Sequence, residues 1–213
     1  MSLNKAQVLG QKGASPQALS ITTTAGSLII VITSTTNTTT QPVISDSAGQ
    51  SYTVGPHITG ATGRTGQIAY FANSVALTSV TATLAGASIA MTVIEVTGAD
   101  TSSPLDKSAT HALSYSNFTI STGSANASAN DFVVAASFHY HGTPSTTDGT
   151  YTSETDQATA GSIGERAFDK IVSSIETSSI ALVATGYGDT AAIATFKAGS
   201  GTPPKSDFFV FMN

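Results

Sequence analysis

The sequence predicts an all-β protein: an antiparallel β-sandwich of jelly-roll type, with about 10–13 strands and little or no helix. Three observations predict this class. Short runs of β-branched and aromatic residues recur along the chain, which is typical of strands. Gly, Asn, Asp and Ser separate these runs, and these residues favour turns. No segment has the apolar periodicity of a surface helix, so a parallel α/β fold, which needs such helices, is excluded.

The predicted strands are, in order, 18–24, 27–34, 42–46, 51–54, 67–73, 79–85, 89–96, 118–122, 131–141, 164–172, 179–186, 190–197 and 207–212. The segment 28–32 is apolar at every position, which predicts a strand covered on both faces in the middle of a sheet. In 131–141 every second residue is apolar, so one face of that strand is predicted to be core. The predicted core residues are Leu28, Ile30, Ile32, Tyr70, Val93, Phe132, Val134, Phe138, Phe168 and Phe196.

The connections between these strands are predicted as follows. The segment 44–54 predicts a hairpin with Gly49 in the turn, because glycine reaches left-handed conformations without steric cost. The stretch 97–117 is predicted to be a long surface crossover. The first sixteen residues form either a flexible terminus or an arm that docks on a neighbouring subunit.

The chain is weakly duplicated, with an offset near 100 residues. The matched segments are 27–31 with 131–135, 52–53 with 151–152, 67–71 with 165–169, 79–84 with 179–184, and 91–95 with 192–196. Two equivalent strand sets suit a jelly roll, in which two Greek keys interleave. We therefore predict an N-terminal arm at 1–17 and a single β-sandwich domain at 18–213, with interleaved halves at about 18–100 and 118–213. Two small β domains in tandem are the alternative.

The composition excludes several classes of protein. Without cysteine, the chain has no disulfide, Cys-ligated zinc site or thiol nucleophile. A net charge of −5 with only eight basic residues argues against a nucleic-acid partner. The longest apolar run, 28–32, is too short to cross a bilayer, and the N-terminus lacks the apolar core of a signal peptide. We therefore expect neither a nucleic-acid nor a membrane partner.

His139 and His141 are the first residues to consider for chemistry. Residues two apart on a strand face the same side, so both rings could reach one metal ion, as in jelly-roll cupins. A working metal site needs three or four protein ligands, and no histidine follows His141. We therefore expect solvent-facing or edge histidines, with no metal and no cofactor.

The remaining polar residues also predict a protein that is not an enzyme. The chain has no G-x-S-x-G nucleophile elbow, the motif of α/β-hydrolases. Glu95 is predicted to face outward from a strand end. Asp46, Asp148, Asp156 and Asp189 lie beside turn residues, which predicts Asx turns; calcium held by two such loops is the alternative.

Three strings of residues form a pattern: AGSLIIV at 25–31, SDSAGQSYT at 45–53 and YFAN at 70–73. This pattern, which continues to about residue 198, resembles a β-sandwich domain that recurs in bacteriophage virion proteins and in bacterial surface or secreted proteins. The motifs are structural, and the resemblance implies a jelly-roll or lectin-like sandwich used for display or binding. The chain departs from the pattern in its Phe-rich C-terminal segment.

Our first hypothesis is a bacteriophage virion structural protein, and we expect a capsid decoration protein that binds and stabilises the particle surface. The chain has no fibre repeats or coiled-coil heptads, which favours decoration over a fibre. We expect a homo-oligomer that contacts the major capsid or other virion proteins and is located in the virion, after assembly in the host cytoplasm. The alternative is a carbohydrate-binding module or adhesin, including a tail-fibre receptor-binding component, with glycan contacts from Tyr140, Tyr151 or Tyr187.

The candidate interaction segment is the C-terminal tail, residues 207–213. Its apolar residues are Phe208, Phe209, Val210, Phe211 and Met212, which alternate between the two faces of an extended strand. Such a strand must be covered, because an exposed apolar edge promotes aggregation. The tail either returns to the sandwich as its final strand or adds a strand to a neighbouring subunit or the capsid.

Overall fold

The computed structural model describes residues 2–36, 39–61, 64–158 and 163–200. These residues form 17 strands and no helix, and every strand ladder between them is antiparallel. The predicted all-β, antiparallel class is confirmed. The strands fall into two successive parts of the chain, which we call the first lobe (residues 4–97) and the second lobe (residues 105–196).

The first lobe consists of two sheets. Its strands are β1 (Asn4–Ala14), β2 (Gln17–Ser20), β3 (Ser27–Thr35), β4 (Val43–Asp46), β5 (Thr53–Ala61), β6 (Arg64–Ser74), β7 (Ser79–Thr83) and β8 (Ser88–Thr97). Five of them form the first inner sheet, in the order β1-β8-β3-β6-β5. The other three form the first outer sheet, in the order β2-β7-β4.

The second lobe is built in the same way. Its strands are β9 (Leu105–Ser114), β10 (Phe118–Ser121), β11 (Phe132–Tyr140), β12 (Ser145–Thr146), β13 (Thr152–Ser153), β14 (Gln157–Ala158), β15 (Ile163–Ile171), β16 (Ser179–Val183) and β17 (Asp189–Phe196). The second inner sheet has the order β13-β15-β11-β17-β9, with β14 also paired to β15. The second outer sheet has the order β10-β16-β12.

Three apolar layers hold the four sheets in one stack. The central core, between the two inner sheets, includes Leu28, Ile30, Ile32, Ile68 and Ile94 from the first lobe and Phe132, Val134, Phe138 and Phe196 from the second. Each lobe also has an outer core between its own inner and outer sheets. Within β3, Ile30 faces the central core, while Ile29 and Val31 face the outer core. The segment 28–32 is therefore covered on both faces, as predicted.

The two lobes repeat one strand plan. If β9 corresponds to β1, β17 to β8, β11 to β3, β15 to β6, and the interrupted strand β13/β14 to β5, the two inner sheets have the same order. The outer sheets correspond in the same way, β2-β7-β4 to β10-β16-β12. Contacts between the lobes are reciprocal, since β1 packs on β14 and β5 on β9, while β8 packs on β15 and β6 on β17. Such reciprocity is that of a pseudo-two-fold axis.

The directions of the strands define two ends of the molecule. The rings of Tyr70 and Phe196 meet with centroids 5.3 Å apart. Farther along the same pair of inner sheets, the ring of Phe138 covers the backbone of Gly66. A Cβ added to Gly66 would lie 2.3 Å from that ring. Beyond Phe196 the chain forms an isolated bridge between Ala99 and Ala198, which marks the bridge end. The opposite end, where β11 ends and β17 begins, we call the loop end.

The predicted duplication is present in the order of the strands, but the predicted interleaving of the halves is not observed. Within the described residues every ladder joins strands of the same lobe, and the Ala99–Ala198 bridge alone crosses between them. A jelly-roll topology is therefore not confirmed. Two of the predicted segment matches are one residue out of register, because the ladders place Asp169 where the first lobe has Tyr70 and Ala194 where it has Ile94.

Three predicted connections are wrong. Residues 4–14, expected in an arm, form β1, which pairs with β8 of the same chain along its length. Residues 105–114, expected in a crossover, form β9. Both are partly exposed edge strands, so they lack the apolar runs that reveal central strands. The segment 44–54 is not a hairpin: β4 lies in an outer sheet and β5 in an inner sheet, with Gly49 at φ 72° between them.

The predicted core residues are buried, except that Tyr70 is half-buried against the central core. Phe168 belongs to the outer core of the second lobe. The predicted strand 207–212 lies outside the described residues.

We expect Phe132→Ala to destabilise the protein by about 3–5 kcal/mol, because it removes a ring from the central core and leaves a cavity. The free energy of unfolding is measured by urea denaturation. Ile175→Ala is the matched control, since Ile175 is 62% exposed and its truncation should change stability by less than about 0.5 kcal/mol. A loss below about 1 kcal/mol for Phe132→Ala would contradict this packing.

Candidate functional site

Four aromatic rings lie together at the loop end of the second lobe. Tyr140 and His141 meet edge to face with centroids 4.1 Å apart, and His141 lies 5.2 Å from Tyr187. Tyr115 packs on the backbone of Gly188, the residue after Tyr187. Tyr115, Tyr140 and Tyr187 are 62%, 38% and 58% exposed. We call Tyr115, Tyr140, His141 and Tyr187 the tyrosine cluster; it is an aromatic surface open to solvent.

The local backbone brings these residues together. Tyr140 is the last residue of β11, and His141 follows it with φ 59°, which turns the chain away from the sheet. Tyr187 lies between Gly186 and Gly188, whose φ values of 83° and 86° favour glycine. The loop that carries Tyr187 is tied to the loop after β9, because the Ala184 N–H donates to Asn117 Oδ1 at 3.1 Å.

Two buried charged residues hold the loops beneath the cluster. Arg64 of the first lobe is 2% exposed, and its Nη1 donates to the carbonyl oxygens of Phe138 and Gly188, at 3.3 and 2.9 Å. Asp189, fully buried, accepts hydrogen bonds from the Thr185 N–H and Thr185 Oγ1, both at 2.7 Å. Burial lowers the pKa of Arg64, while the charge of Asp189 opposes that shift. The loop 185–188 is thus fixed from both lobes.

The first lobe provides an internal comparison. The register of the ladders places Ala14, Thr36 and Ala87 where the second lobe has Tyr115, Tyr140 and Tyr187. Ala87 is buried, and none of these three residues has a ring. The strand plan itself therefore does not require aromatic residues at these positions.

A second polar group lies between the lobes and is buried. Glu165 of β15 is fully buried, and its Oε1 accepts a hydrogen bond from Thr92 Oγ1 of β8 at 2.6 Å. Loss of hydration raises the pKa of Glu165 to about 8, and the nearby charge of Asp156 adds to this shift. The carboxyl is therefore held mainly in its neutral form at pH 7.

A group of three charged residues links the two lobes at the edge of their interface. Lys5 Nζ of β1 lies 2.6 Å from Glu154 Oε1 and 2.8 Å from Asp169 Oδ1 of the second lobe. Burial raises the pKa of Asp169 to about 7, against the stabilising charge of Lys5. Lys12 of β1 also donates to the Ala158 carbonyl. The strand expected to be an arm thus binds the two lobes together.

The structure corrects the predictions for His139 and Glu95. His139 is fully buried at the end of β11, with Nε2 3.2 Å from Asp156 Oδ1 but outside hydrogen-bond geometry, and it is neither solvent-facing nor at an edge. His141 is half-exposed. Glu95 is buried and does not face outward. Its carboxylate accepts hydrogen bonds from the Thr24 N–H, Ser27 Oγ and Gln7 Nε2, which compensate for the lost hydration. Burial opposes ionisation, but these bonds lower the pKa of Glu95.

The other predicted residues have mixed outcomes. Asp46 and Asp148 accept hydrogen bonds from backbone N–H groups two residues ahead, as Asx turns do. Asp189 instead accepts from Thr185, and Asp156 faces His139. Tyr151 is buried in an outer core and is not available to a glycan. The candidate segment Phe208, Phe209, Val210, Phe211 and Met212 lies outside the described residues.

Sequence reasoning missed Arg64, Tyr115 and Glu165. Arg64 is one of two arginines in the chain, and this rarity is the single signal that could have drawn attention to it. Over residues 2–36, 39–61, 64–158 and 163–200 no cluster of three or more His, Asp or Glu side chains could hold a metal ion. The same residues include no helix that is both long and apolar enough to span a membrane.

Comparison with known proteins adds no relative: no family model, curated protein or solved structure matches this chain.

We expect Glu165→Gln to stabilise the protein at pH 8.5 but not at pH 4.5. The folded state keeps the Glu165 proton up to a pKa of about 8, whereas the unfolded chain releases it near pH 4.5. The stabilising contribution of the neutral carboxyl is therefore full below pH 4.5 and is lost as the pH rises toward 8 and above. Glutamine is neutral at both pH values, so the gain at pH 8.5 should be at least about 1 kcal/mol.

The measurement is the urea unfolding midpoint of both proteins at the two pH values. Glu176→Gln is the control, since that side chain is 37% exposed and should show little difference between pH 4.5 and 8.5. An equal effect of Glu165→Gln at both pH values would show that the proton on Glu165 does not matter to folding.

Proposed function

We propose that this protein is a bacteriophage virion structural protein: a capsid decoration protein that binds the particle surface and stabilises it. The proposal depends on the positions, in the fold, of the three sequence strings that resemble virion proteins. AGSLIIV covers the start of β3, SDSAGQSYT covers the crossing from β4 to β5, and YFAN lies in β6. These are core strands and a turn, so the resemblance concerns the scaffold. For this scaffold the resemblance implies display or binding, and such a function would lie in sites on its surface.

The geometry supports the C-terminal tail, residues 207–213, as the segment that attaches the protein to its partner. Each lobe already has a full, matching set of strands, and the second set is complete with β17. Within residues 2–36, 39–61, 64–158 and 163–200, every strand of the first lobe has a counterpart in the second lobe, so the tail is not needed to complete the second set. We therefore favour strand addition to a neighbouring subunit or the major capsid protein over a return of the tail to its own sandwich.

The last described residues, up to Ser200, lie at the bridge end, opposite the tyrosine cluster. β17 begins at Asp189, beneath the cluster, and ends at Phe196 near the bridge end, a distance of about 23 Å for an extended strand. The tail follows the bridge end in sequence. A protein held on the particle by its tail, as a homo-oligomer, would present its loop end outward, and its place would be the virion after assembly in the bacterial cytoplasm.

We expect a chain truncated after Pro204 to stay folded but to lose its attachment to the particle. Removing residues beyond a complete strand set should change the urea midpoint little, while the strand that adds to the partner is gone. Attachment is measured by co-sedimentation with particles purified from a phage that lacks the gene, and mass spectrometry of the wild-type particles tests whether the protein is present at all.

A face-specific pair of variants provides the control. Phe209→Ser with Phe211→Ser alters one face of the tail, and Phe208→Ser with Val210→Ser alters the other. One pair should weaken attachment more than the other. Absence of the protein from purified particles would overturn the proposed function, while unfolding of the truncated chain would show that the tail belongs to the fold.

A further inference from the structure

We propose that the tyrosine cluster, Tyr115, Tyr140, His141 and Tyr187, binds an uncharged sugar ring of a glycan. This inference goes beyond the proposed virion function and does not depend on it. A pyranose ring has an apolar face of C–H groups and a rim of hydroxyls. The face of an aromatic ring carries negative electrostatic potential and attracts such C–H groups, while phenol hydroxyls exchange hydrogen bonds with the rim.

The cluster offers both kinds of contact. Three of the six tyrosines in the chain lie in it, each exposed by more than a third. The rings are tilted against one another, at 73° between Tyr140 and His141 and 59° between His141 and Tyr187, so they form an uneven surface and not a flat stack. Asn117 lies beside the loop of Tyr187, and its Oδ1 is used by the Ala184 N–H. Its exposed amide nitrogen can donate to a sugar hydroxyl.

The charge of the surface favours a neutral ligand. The three segments that form it, 113–117, 140–142 and 185–188, contain no Asp, Glu, Lys or Arg. Two charged groups, Arg64 and Asp189, are buried beneath it, where Arg64 Nη1 donates to two carbonyl oxygens and Asp189 accepts from Thr185. Apart from the imidazole of His141, an acidic polysaccharide or a charged peptide would find no exposed partner for its charge within these segments.

The cluster belongs to the second lobe, but both lobes hold it in place before any ligand arrives. Arg64 crosses from the first lobe to bind the carbonyls of Phe138 and Gly188, and Asp189 fixes Thr185. A surface that is already ordered loses less conformational entropy on binding. Nη1 of the buried Arg64 donates to both carbonyls, so this one group fixes the end of β11 relative to the loop 185–188.

Comparison of the two lobes indicates that folding does not require the exposed tyrosines. The tyrosine that both lobes share, Tyr52 in the first and Tyr151 in the second, packs in the outer cores. The exposed tyrosines occur in the second lobe alone, and Ala14, Thr36 and Ala87 stand at the corresponding positions of the first lobe. Exposed aromatic groups that a fold does not require mark a binding surface. An uncharged surface of rings and hydroxyls fits a sugar better than an aliphatic protein anchor.

The experiment uses the full chain and a panel of immobilised neutral oligosaccharides of hexoses and N-acetylhexosamines. Any oligosaccharide bound on the array is then titrated in solution. Because the chain has no tryptophan, its near-ultraviolet emission comes from tyrosine, and a sugar on the cluster should change it. We expect the wild type to bind at least one member of the panel.

The variants test the role of the rings. Tyr187→Ala and Tyr140→Ala should each weaken binding at least about tenfold, while Tyr187→Phe, which keeps the ring, should stay within about threefold of the wild type. Ile175→Ala is the matched control, because it truncates an exposed apolar side chain away from the cluster, and should bind like the wild type. Urea midpoints confirm that each variant is folded.

Three results would overturn the inference: no neutral oligosaccharide bound by the wild type, equal binding by the alanine variants, or loss of particle attachment by those variants in the absence of sugar binding. The last result would make the cluster a protein interface. Failure of the virion proposal is separate, because it depends on the truncated tail and on the presence of the protein in particles, whereas sugar binding is measured on the isolated protein.

Discussion

The arrangement of the molecule depends on the packing of two inner sheets that are apolar on both faces. A lobe alone would bury one face against its outer sheet and leave Leu28 and Ile30, or Phe132 and Val134, open to water. An exposed apolar face of that extent is not stable in a soluble monomer. Burial against the other lobe removes it, and the match of the two faces fixes the axis between the lobes. The same axis sets the loop end, where Arg64 joins the end of β11 to the loop 185–188.

Central strands could be predicted from the sequence, while edges and connections could not. The run 28–32 is apolar because both its faces are covered, and this pattern is visible without a structure. β1 and β9 are edge strands with one side toward solvent, so their composition resembles that of a loop. The duplication was detectable, but one extra residue moves a side chain to the opposite face of a strand. The counterparts of Tyr70 and Ile94 in the second lobe could therefore be assigned only from the observed strand pairing.

The candidate site was predictable only in part. Tyr140 and Tyr187 stand near turn residues, and their exposure follows from that position. Tyr151 stands in a similar sequence context, yet its ring lies in the outer core of the second lobe. It occupies there the position that Tyr52 has against the outer core of the first lobe. Arg64 and Glu165 act between lobes that are distant in sequence, with Phe138 and Thr92 as partners. No periodicity or motif joins such residues, so their role depends on how the sheets are stacked.

The short connection between β8 and β9, residues 98–104, makes the lobes partners in one chain. Two separate lobes would meet through a bimolecular equilibrium that weakens on dilution. A tether of this length holds them at an effective concentration in roughly the millimolar range, so the central core forms at any protein concentration. The tether also frees the lobes from being identical. A symmetric dimer must carry each surface twice, whereas one lobe of this chain has tyrosines at its tip and the other has Ala14, Thr36 and Ala87.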